Sequence, residues 1–350
     1  MKNINLSVDG GGTSLRIVAF DDDLNLIAQS KSGPVNPNFE TVENIGENMS
    51  NAIKLLFAEL LNSAGDFEIK KIYRTIVGSV RFFDEIFIKE SKLSGDFAGE
   101  TIFYNISEGH SHLFAASLKD KGGIALAGTG SGAIYCNKEN FIHLGGYGIP
   151  VGDEGSGAWI GLQGMSAAVK YINGWGEKTL LTEKLYKYLN ISGPHSITGI
   201  LYKKDANQRN LFAGFCRYVA ECERSGDTIA SEIIYSAGKN MGLQMISALK
   251  RAENKNMTDN TGPLEIYASG GAWKGTPYML ESMDQTIREV YPHAVCKHGF
   301  FDPVMSGVIK FIFDQTGRQI LSNQSVINHL KKEFNDYLFK FNEFETNEVR

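Results

Sequence analysis

The stretch Asp9-Gly10-Gly11-Gly12-Thr13-Ser14 decides the fold of this 350-residue chain. Apolar residues alternate with other residues on both sides of it, over residues 4–8 and 15–19. This period of two predicts a strand, a tight turn and a second strand. Three consecutive glycines let the backbone N–H groups approach a bulky anion such as phosphate. A hairpin turn with no ligand is the alternative.

The side chains of this stretch suit a bound nucleotide. Asp9, at the end of the first strand, is placed to hold a metal ion or the water shell of that ion. The hydroxyls of Thr13 and Ser14 can donate hydrogen bonds to phosphate oxygens, and Gly11 and Gly12 offer bare backbone. We therefore expect a phosphate group and a cation at this turn.

The strand, turn and strand pattern occurs again at Ala127-Gly128-Thr129-Gly130-Ser131-Gly132, between apolar runs at residues 124–126 and 133–135. A repeat of the same local pattern indicates two related domains. A third glycine turn, Ala268-Ser269-Gly270-Gly271, ends a predicted strand and is expected to lead into a helix that begins near Lys274. Three such turns can converge on one nucleotide.

Composition indicates a globular protein with two domains of ordinary size. Hydrophobic residues make up 42% and charged residues 21% of the chain, and its 38 glycines are the one excess. The formal net charge of −5 argues against a nucleic-acid or membrane-surface partner, which would require basic clusters. Residues 1–8 lack the features of a signal peptide, and no run of about 18 apolar residues suggests a membrane span. These features predict a cytoplasmic protein with a small-molecule ligand.

The four cysteines form no Cys-x-x-Cys pair, and they are Cys136, Cys216, Cys222 and Cys296. In a reducing compartment such isolated cysteines are expected to be buried or free thiols.

Four blocks of this sequence resemble one family. They are Asp9-Gly10-Gly11-Gly12-Thr13, Gly128-Thr129-Gly130-Ser131, Gly148-Ile149-Pro150-Val151-Gly152-Asp153-Glu154-Gly155-Ser156 and Ser269-Gly270-Gly271-Ala272-Trp273-Lys274. The blocks look like those of N-acetylglucosamine kinases and their bacterial relatives. That group belongs with the BadF/BadG activator-type ATPases in the actin, hexokinase and Hsp70 superfamily. The likeness runs from residue 3 to about residue 315, and its most specific part is the block around Asp153.

The resemblance implies an α/β protein with the two-lobed actin-like ATPase (ribonuclease H-like) fold and an interdomain cleft. The N-terminal lobe is expected over residues 1–118 and a larger C-terminal lobe over 119–315. Residues 316–350 are expected to form a helical segment, and the alternatives for it are packing back on the first lobe, a surface helix or a dimer contact. The block 301–307 matches an element that returns toward the first lobe. ATP, Mg²⁺ and a homodimer are further implications of the resemblance.

The resemblance also assigns two sets of site residues. The nucleotide set, with Asp9 as the metal ligand, is Asp9, Gly11, Gly12, Thr13, Ser14, Gly128, Thr129, Gly130, Ser131, Ser269, Gly270, Gly271 and Lys274. The sugar set is Asn36, Ser79, Glu108, Thr129, Gly130, Gly146, Asp153 and Gly157. For Asn36, an asparagine selected for turn geometry is the alternative.

Glu108 stands where the family usually has an aspartate. Phosphoryl transfer needs a carboxylate that orients the acceptor hydroxyl and accepts its proton, and we expect Glu108 to serve as this base. Its additional methylene moves the oxygens outward by about 1.5 Å, so the backbone or the sugar must shift. A carboxylate in the first turn of a helix is the alternative role. His110 and His112 have no third ligand nearby at a suitable spacing, so a zinc site is not expected.

The predicted function is an ATP-dependent amino-sugar kinase. The substrate is N-acetylglucosamine, glucosamine or N-acetylmuramic acid, which sequence cannot distinguish, and the site of phosphorylation is the 6-hydroxyl, as in the resembling family. One alternative is an ATPase activator of the 2-hydroxyacyl-CoA dehydratase type, although Cys216 and Cys222 lie far from the glycine turns in sequence. A second alternative is a sugar or nucleotide sensor without turnover, which the replacement of Asp by Glu at position 108 would allow.

Overall fold

The computed structural model describes residues 2–95, 97, 99–138, 140–203, 207–258, 263–317 and 323–341. The strands are β1 (Lys2–Gly10), β2 (Leu15–Asp21), β3 (Leu26–Ser32), β4 (Phe67–Ile76), β5 (Ile102–Asn105), β6 (Lys121–Ala127), β7 (Ser131–Asn137), β8 (Asn140–Gly145), β9 (Glu265–Ser269) and β10 (Val295–His298). The helices are α1 (Val42–Ser63), α2 (Val80–Ser94), α3 (Glu108–Ser117), α4 (Gly157–Ile172), α5 (Leu181–Leu189), α6 (Ser196–Leu201), α7 (Gln208–Arg224), α8 (Thr228–Asn254), α9 (Tyr278–Arg288), α10 (Ser306–Thr316) and α11 (Gln324–Glu333). Short 3₁₀ helices are Gly271–Lys274, Pro303–Met305 and Asn335–Tyr337.

The chain divides into two compact units. Unit 1 comprises Met1–Asp120 and Gly299–Leu338, and unit 2 comprises Lys121–His298 and Phe339–Arg350. The described helices include none that is both apolar and long enough to span a bilayer.

The two units contain sheets of the same design. The sheet of unit 1 has the strand order β3-β2-β1-β4-β5, and that of unit 2 has the order β8-β7-β6-β9-β10. In each sheet the first strand in sequence pairs antiparallel with the next strand on one side and parallel with a later strand on the other. The repeat of the glycine turn in the sequence therefore reflects a repeat of a whole five-stranded unit.

Helices cover both faces of the sheet in unit 1. Alternation in β1 places Ile4, Leu6 and Val8 on one face, where they pack with α1 and α2. The other face, which includes Phe20 and Tyr73, packs with α3, α10 and α11. Apolar residues recur at steps of three and four in α1, and this spacing explains its buried stripe. The core of unit 2 is one cluster to which α4, α7, α8 and α9 contribute.

The segment 299–315 packs in unit 1, although the sequence boundaries placed it in the C-terminal lobe. The reason lies in its contacts with β1 and α3. The hydroxyl of Ser7 in β1 donates to the carbonyl of Val304, and it accepts from Gly307 N at 2.9 Å. The backbone N–H groups of Phe300 and Phe301 donate to Ala116 O and Ala115 O in α3. The returning segment noted in the sequence thus starts before residue 301.

The segment 323–338 also belongs to unit 1. Ile327 and Leu330 of α11 are buried, and so are Phe334 and Tyr337 beyond it, so this part of the tail is more than a surface helix. Phe341 is 43% exposed. The rest of the tail lies outside the described residues, and the homodimer stays a prediction.

Candidate active site

Two loops hold the first glycine turn. Val35 N donates to Gly11 O at 3.0 Å, and Val77 N donates to Gly10 O at 3.2 Å. Within the turn, Gly11 N donates to Ser14 O at 3.2 Å. These bonds bring the loop before α1 and the loop before α2 next to the turn, and they carry with them the predicted sugar residues Asn36 and Ser79.

Asn36 and Ser79 both bond to backbone. Asn36 Oδ1 accepts from Asn38 N at 2.9 Å, as the turn-geometry alternative requires. The side chain of Asn36 is buried, and among the described residues none accepts from its Nδ2. Ser79 Oγ donates to Val35 O at 2.9 Å and does not cap α2. Asn36 can therefore offer a ligand its amide donors, while the Ser79 hydroxyl can offer only acceptor capacity.

The carboxyl ends of the parallel strands of unit 1 meet at one edge of the sheet. Asp9 in β1 is paired with Thr75 in β4, and Arg74 in β4 is paired with Asn105 in β5. The segments that leave this edge contain Gly11, Ser79 and Glu108. Ligands bind preferentially at such edges in open α/β sheets.

Asp9 is half-buried and lies within electrostatic reach of three other charges. The pKa of Asp9 is raised to about 7, mainly by burial; Arg16 lowers it, and the nearby Glu108 and Asp302 raise it. Arg16 stands directly opposite Asp9 across the β1–β2 hairpin, and it forms a 3.2 Å ion pair with Asp302. The sequence analysis missed Arg16 and Asp302 as site residues.

Glu108 is the first residue of α3, and its side chain is exposed. Ser107 precedes it as the helix N-cap, and its hydroxyl accepts from His110 N at 3.3 Å and bonds His110 Nδ1 at 2.7 Å. Glu108 is therefore a first-turn carboxylate and also a neighbour of Asp9, so the geometry is compatible with both roles considered for it.

The donor set at Asp9 fits a magnesium ion that arrives with a nucleotide. In the ranges the structure describes, no group of three or more His, Cys, Asp or Glu side chains could hold a metal by itself. Magnesium is commonly held by one or two carboxylates together with substrate phosphates and water. A half-buried carboxylate beside a glycine turn supplies such a ligand, and Asp9 is the residue that would hold the ion.

In unit 2 the start of α4 is hydrogen-bonded to the second glycine turn. Gly157 N donates to Gly128 O at 2.8 Å, and Ala158 N donates to Thr129 O at 3.3 Å. Gly146 N donates to Ser131 O at 2.9 Å. One cluster in unit 2 therefore contains the predicted residues of three segments, which are the second turn, the loop after β8 and the start of α4. Ser131 Oγ donates to Glu154 O at 2.9 Å, so that hydroxyl is already used within the protein.

Asp153 is the most unusual residue of this cluster. It is 3% exposed and has φ of 61°, a left-handed conformation that is uncommon for a residue other than glycine. Its Oδ2 lies 3.6 Å from Arg209 Nη2 of α7. Its Oδ1 is buried, and no donor among the described residues reaches it.

Gly130 leaves the space that Asp153 occupies. A Cβ at Gly130 would lie 2.6 Å from Asp153 Oδ2 and 2.4 Å from Arg209 Nη2, closer than real contacts allow. The carboxylate therefore lies directly against the second glycine turn. Arg209 is a further residue that the sequence analysis did not find.

The third glycine turn lies beside the second. Leu126 in β6 is paired with Ser269 in β9, and the strands are parallel, so their following turns are neighbours. Gly270 has φ of 109°, and a Cβ there would lie 2.5 Å from Ala127 O. Trp273 is buried and donates from Nε1 to Ala125 O at 2.9 Å. The structure thus brings together two of the three predicted turns within unit 2.

The predicted helix near Lys274 was placed too early. Gly271–Lys274 is a single 3₁₀ turn, and α9 begins at Tyr278. Pro277 explains the difference, because proline has no N–H for a helix interior but suits a position at the start of a helix.

Comparison with known proteins identifies the family. The sequence model of the BadF/BadG/BcrA/BcrD ATPase family matches residues 6–299. The chain belongs to this family.

Two curated relatives of this BadF/BadG/BcrA/BcrD-family chain are sugar kinases. An N-acetylmuramic acid/N-acetylglucosamine kinase from Clostridium acetobutylicum is 25% identical over 82% of this chain and 91% of its own length. An N-acetyl-D-glucosamine kinase from Dictyostelium discoideum is 24% identical over 88% of this chain and 97% of its own length.

Among solved structures, the chain is similar in fold to a candidate N-acetylglucosamine kinase from Porphyromonas gingivalis. The TM-score is 0.65 at 14% identity, over 90% of this chain and 99% of the other. The mixed α/β architecture expected from the sequence is confirmed.

The cysteines of this family member are free, as expected. Cys136, Cys216 and Cys222 are buried and Cys296 is half-buried. Burial raises the pKa of the Cys136 and Cys216 thiols to about 12, so these groups stay protonated at neutral pH.

Proposed function

We propose that this chain is an ATP-dependent amino-sugar kinase that phosphorylates the 6-hydroxyl of N-acetylglucosamine or a close relative. The observation that carries the proposal is the buried Oδ1 of Asp153, which has no donor among the described residues. A buried carboxylate oxygen without a partner costs about 1–3 kcal/mol or more. A sugar hydroxyl would satisfy it. The two curated sugar-kinase relatives support the same conclusion.

In this proposal Asp153 binds the sugar. Arg209 lies 3.6 Å from Oδ2, so that Oδ1 remains available to accept from a hydroxyl. Gly130 lets the sugar ring and the carboxylate approach the same turn. Within unit 2, Thr129, Gly146 and Gly157 contribute backbone from the same cluster. Within unit 1, the proposed sugar contact is Asn36, which offers its amide donors.

Glu108 is the proposed base. Its exposed carboxylate at the start of α3 is free to reach a ligand, and it accepts the proton of the 6-hydroxyl as the new bond to phosphorus forms. The Glu side chain is longer than the usual Asp, and its exposed position gives it room to adjust.

The glycine turns are the proposed phosphate and nucleoside contacts. Gly11, Gly12, Thr13 and Ser14 offer N–H and hydroxyl donors in unit 1, and the turns at Gly128 and Gly270 lie side by side in unit 2. Asp9 is the proposed protein ligand for Mg²⁺. The ion, when bound, would neutralise charge on the transferred phosphoryl group.

A panel of sugars in a coupled ADP-release assay tests the proposal. We expect ADP release only when ATP, Mg²⁺ and an amino sugar are all present, with N-acetylglucosamine, glucosamine and N-acetylmuramic acid compared at equal concentration. ADP release that is independent of sugar would instead indicate an ATPase activator. Binding of sugar and ATP without product would indicate a sensor.

A cytoplasmic location and a homodimer remain parts of the proposal. Sedimentation of the full chain measures its oligomeric state.

A further inference from the structure

An apolar pocket in unit 1 lies beside the predicted sugar residues. Its volume is 510 Å³, and it opens next to Ser79. Its apolar walls come from the loop that carries Asn36, the start of α1 and the first turn of α2, and they are Pro37, Val42, Ile45, Val80 and Phe82. The loop that holds Asn36 forms one wall of the pocket, because Pro37 lines it and Ser79 Oγ donates to Val35 O of the same loop.

One cation lines this pocket. Arg81 is exposed in the first turn of α2. Asp84, three residues further along the helix, is bound by Arg74 at 2.7 Å and so is not paired with Arg81. Within the described ranges no carboxylate forms an ion pair with Arg81, including Glu85 one turn further along. The guanidinium is therefore available to an anionic ligand.

The start of α2 adds to the positive potential. Ser79 makes no side-chain cap, and the first intrahelical bond of the turn runs from Phe83 N to Ser79 O. The preceding N–H groups, from Val80 to Phe82, are thus not satisfied by a capping side chain. A 15-residue helix directs its positive dipole end toward this point.

We infer that this pocket, with Arg81 as its recognition residue, selects an amino sugar that carries a carboxylate on a short apolar ether or acyl substituent. The inference rests on the proposed kinase function and names the substrate class within it. N-acetylmuramic acid has this chemistry, since it is N-acetylglucosamine with a lactyl ether on the 3-oxygen. The methyl and methine groups of the substituent pack on Val80 and Phe82, and its carboxylate pairs with Arg81. Glucosamine has neither group.

Binding and turnover of two sugars test the inference. In wild-type protein we expect kcat/KM for N-acetylmuramic acid to exceed that for N-acetylglucosamine. Arg81→Ala should reduce kcat/KM for the carboxylated sugar by about 10-fold and leave N-acetylglucosamine within about 2-fold, since a charge-assisted pair is lost only for the former. Arg81→Lys should restore part of the loss.

Two further variants provide a control and an independent test. Lys89→Ala removes a charge from an exposed position of the same helix outside the pocket, and it should change neither sugar. Val42→Asp places a negative charge on the pocket wall, at a helix N-terminus where aspartate is tolerated, and it should weaken only the carboxylated sugar.

Calorimetric titration of both sugars separates failure of the inference from failure of the kinase proposal. Arg81-dependent binding of N-acetylmuramic acid without phosphorylation of any sugar would retain the inference and overturn the kinase. Phosphorylation of N-acetylglucosamine, with N-acetylmuramic acid neither bound nor converted, would overturn the inference and retain the kinase. Equal losses of kcat/KM for both sugars in Arg81→Ala would also overturn the inference.

Discussion

Arg16 Nη1 lies 3.2 Å from Asp302 Oδ2, and this ion pair joins β2 to the segment that returns from unit 2. Both residues affect Asp9. Arg16 lowers the pKa of Asp9, and Asp302 raises it. Burial is the largest cause of the raised pKa of the proposed metal ligand, and residues that are far apart in sequence add to it or oppose it.

Asp302→Asn should shift the acid limb of the pH profile to lower pH. Asp302 is one of the causes that raise the pKa of Asp9 to about 7, so loss of its negative charge lowers that pKa and leaves the opposing effect of Arg16 less offset. Asp9 then becomes ionised at lower pH and can hold Mg²⁺ there. The measurement is kcat/KM for ATP between pH 5.5 and 9, with Asp23→Asn as a control for loss of an exposed carboxylate in the same unit. An acid limb at the same pH as in wild type would contradict either the role of Asp9 as metal ligand or the effect of Asp302 on the pKa of Asp9.

Asp9→Asn should stabilise the protein at pH 8 and abolish its activity. The pKa of Asp9 is raised from 3.8 to about 7, so the folded state favours the protonated form. The resulting stability is present below pH 4 and is lost as pH rises through 7. The uncharged Asn avoids this loss. At 1.36 kcal/mol for each pKa unit, the gain in free energy of unfolding is up to about 4 kcal/mol. Thermal melts without Mg²⁺ at pH 4 and pH 8 measure the effect. A gain of the same size at both pH values would contradict the argument.

Asp153→Asn should reduce kcat/KM for the sugar by about 10²-fold and leave KM for ATP nearly unchanged. The amide keeps the shape of the side chain but loses the charge, and a hydrogen bond to a charged group contributes about 1.5–3 kcal/mol. It also leaves Arg209 without its 3.6 Å partner. Steady-state kinetics with varied sugar and varied ATP separate the two effects. Equal losses in both constants would point to a folding defect.

Gly161→Ala should destabilise unit 2 by about 3 kcal/mol through overpacking. A Cβ at Gly161 in α4 would lie 1.8 Å from Phe212 O in α7. Gly199→Ala is the matched control, because no atom lies within 4 Å of its added Cβ and alanine is the better helix former. Chemical denaturation of both variants, followed by circular dichroism, measures the difference. Equal stabilities would contradict the packing argument.

The elements of this fold were predictable where the sequence pattern is local. Alternation around residues 9–14 predicted the β1–β2 hairpin, and steps of three and four predicted α1. The hairpin register could also have indicated Arg16, since pairing about the glycine turn places it opposite Asp9.

Other parts of the site depend on contacts between distant residues. Arg209 contacts Asp153 across 56 positions of the chain, and no local pattern marks it. Asp302 was noted only as part of the block 301–307, because its partner Arg16 lies in the first strand pair. Which side chains form such pairs is determined by the packing of the tertiary structure.

The measurement that tests the central claim most directly is sugar-dependent ADP release by wild-type protein and by Glu108→Gln. We predict that wild type consumes ATP only with amino sugar, and that Glu108→Gln lowers kcat by about 10²-fold or more while KM for ATP changes little. The carboxamide can still accept a hydrogen bond from the sugar hydroxyl, but it cannot take the proton. A variant with the kcat of wild type would contradict the assignment of Glu108 as the base.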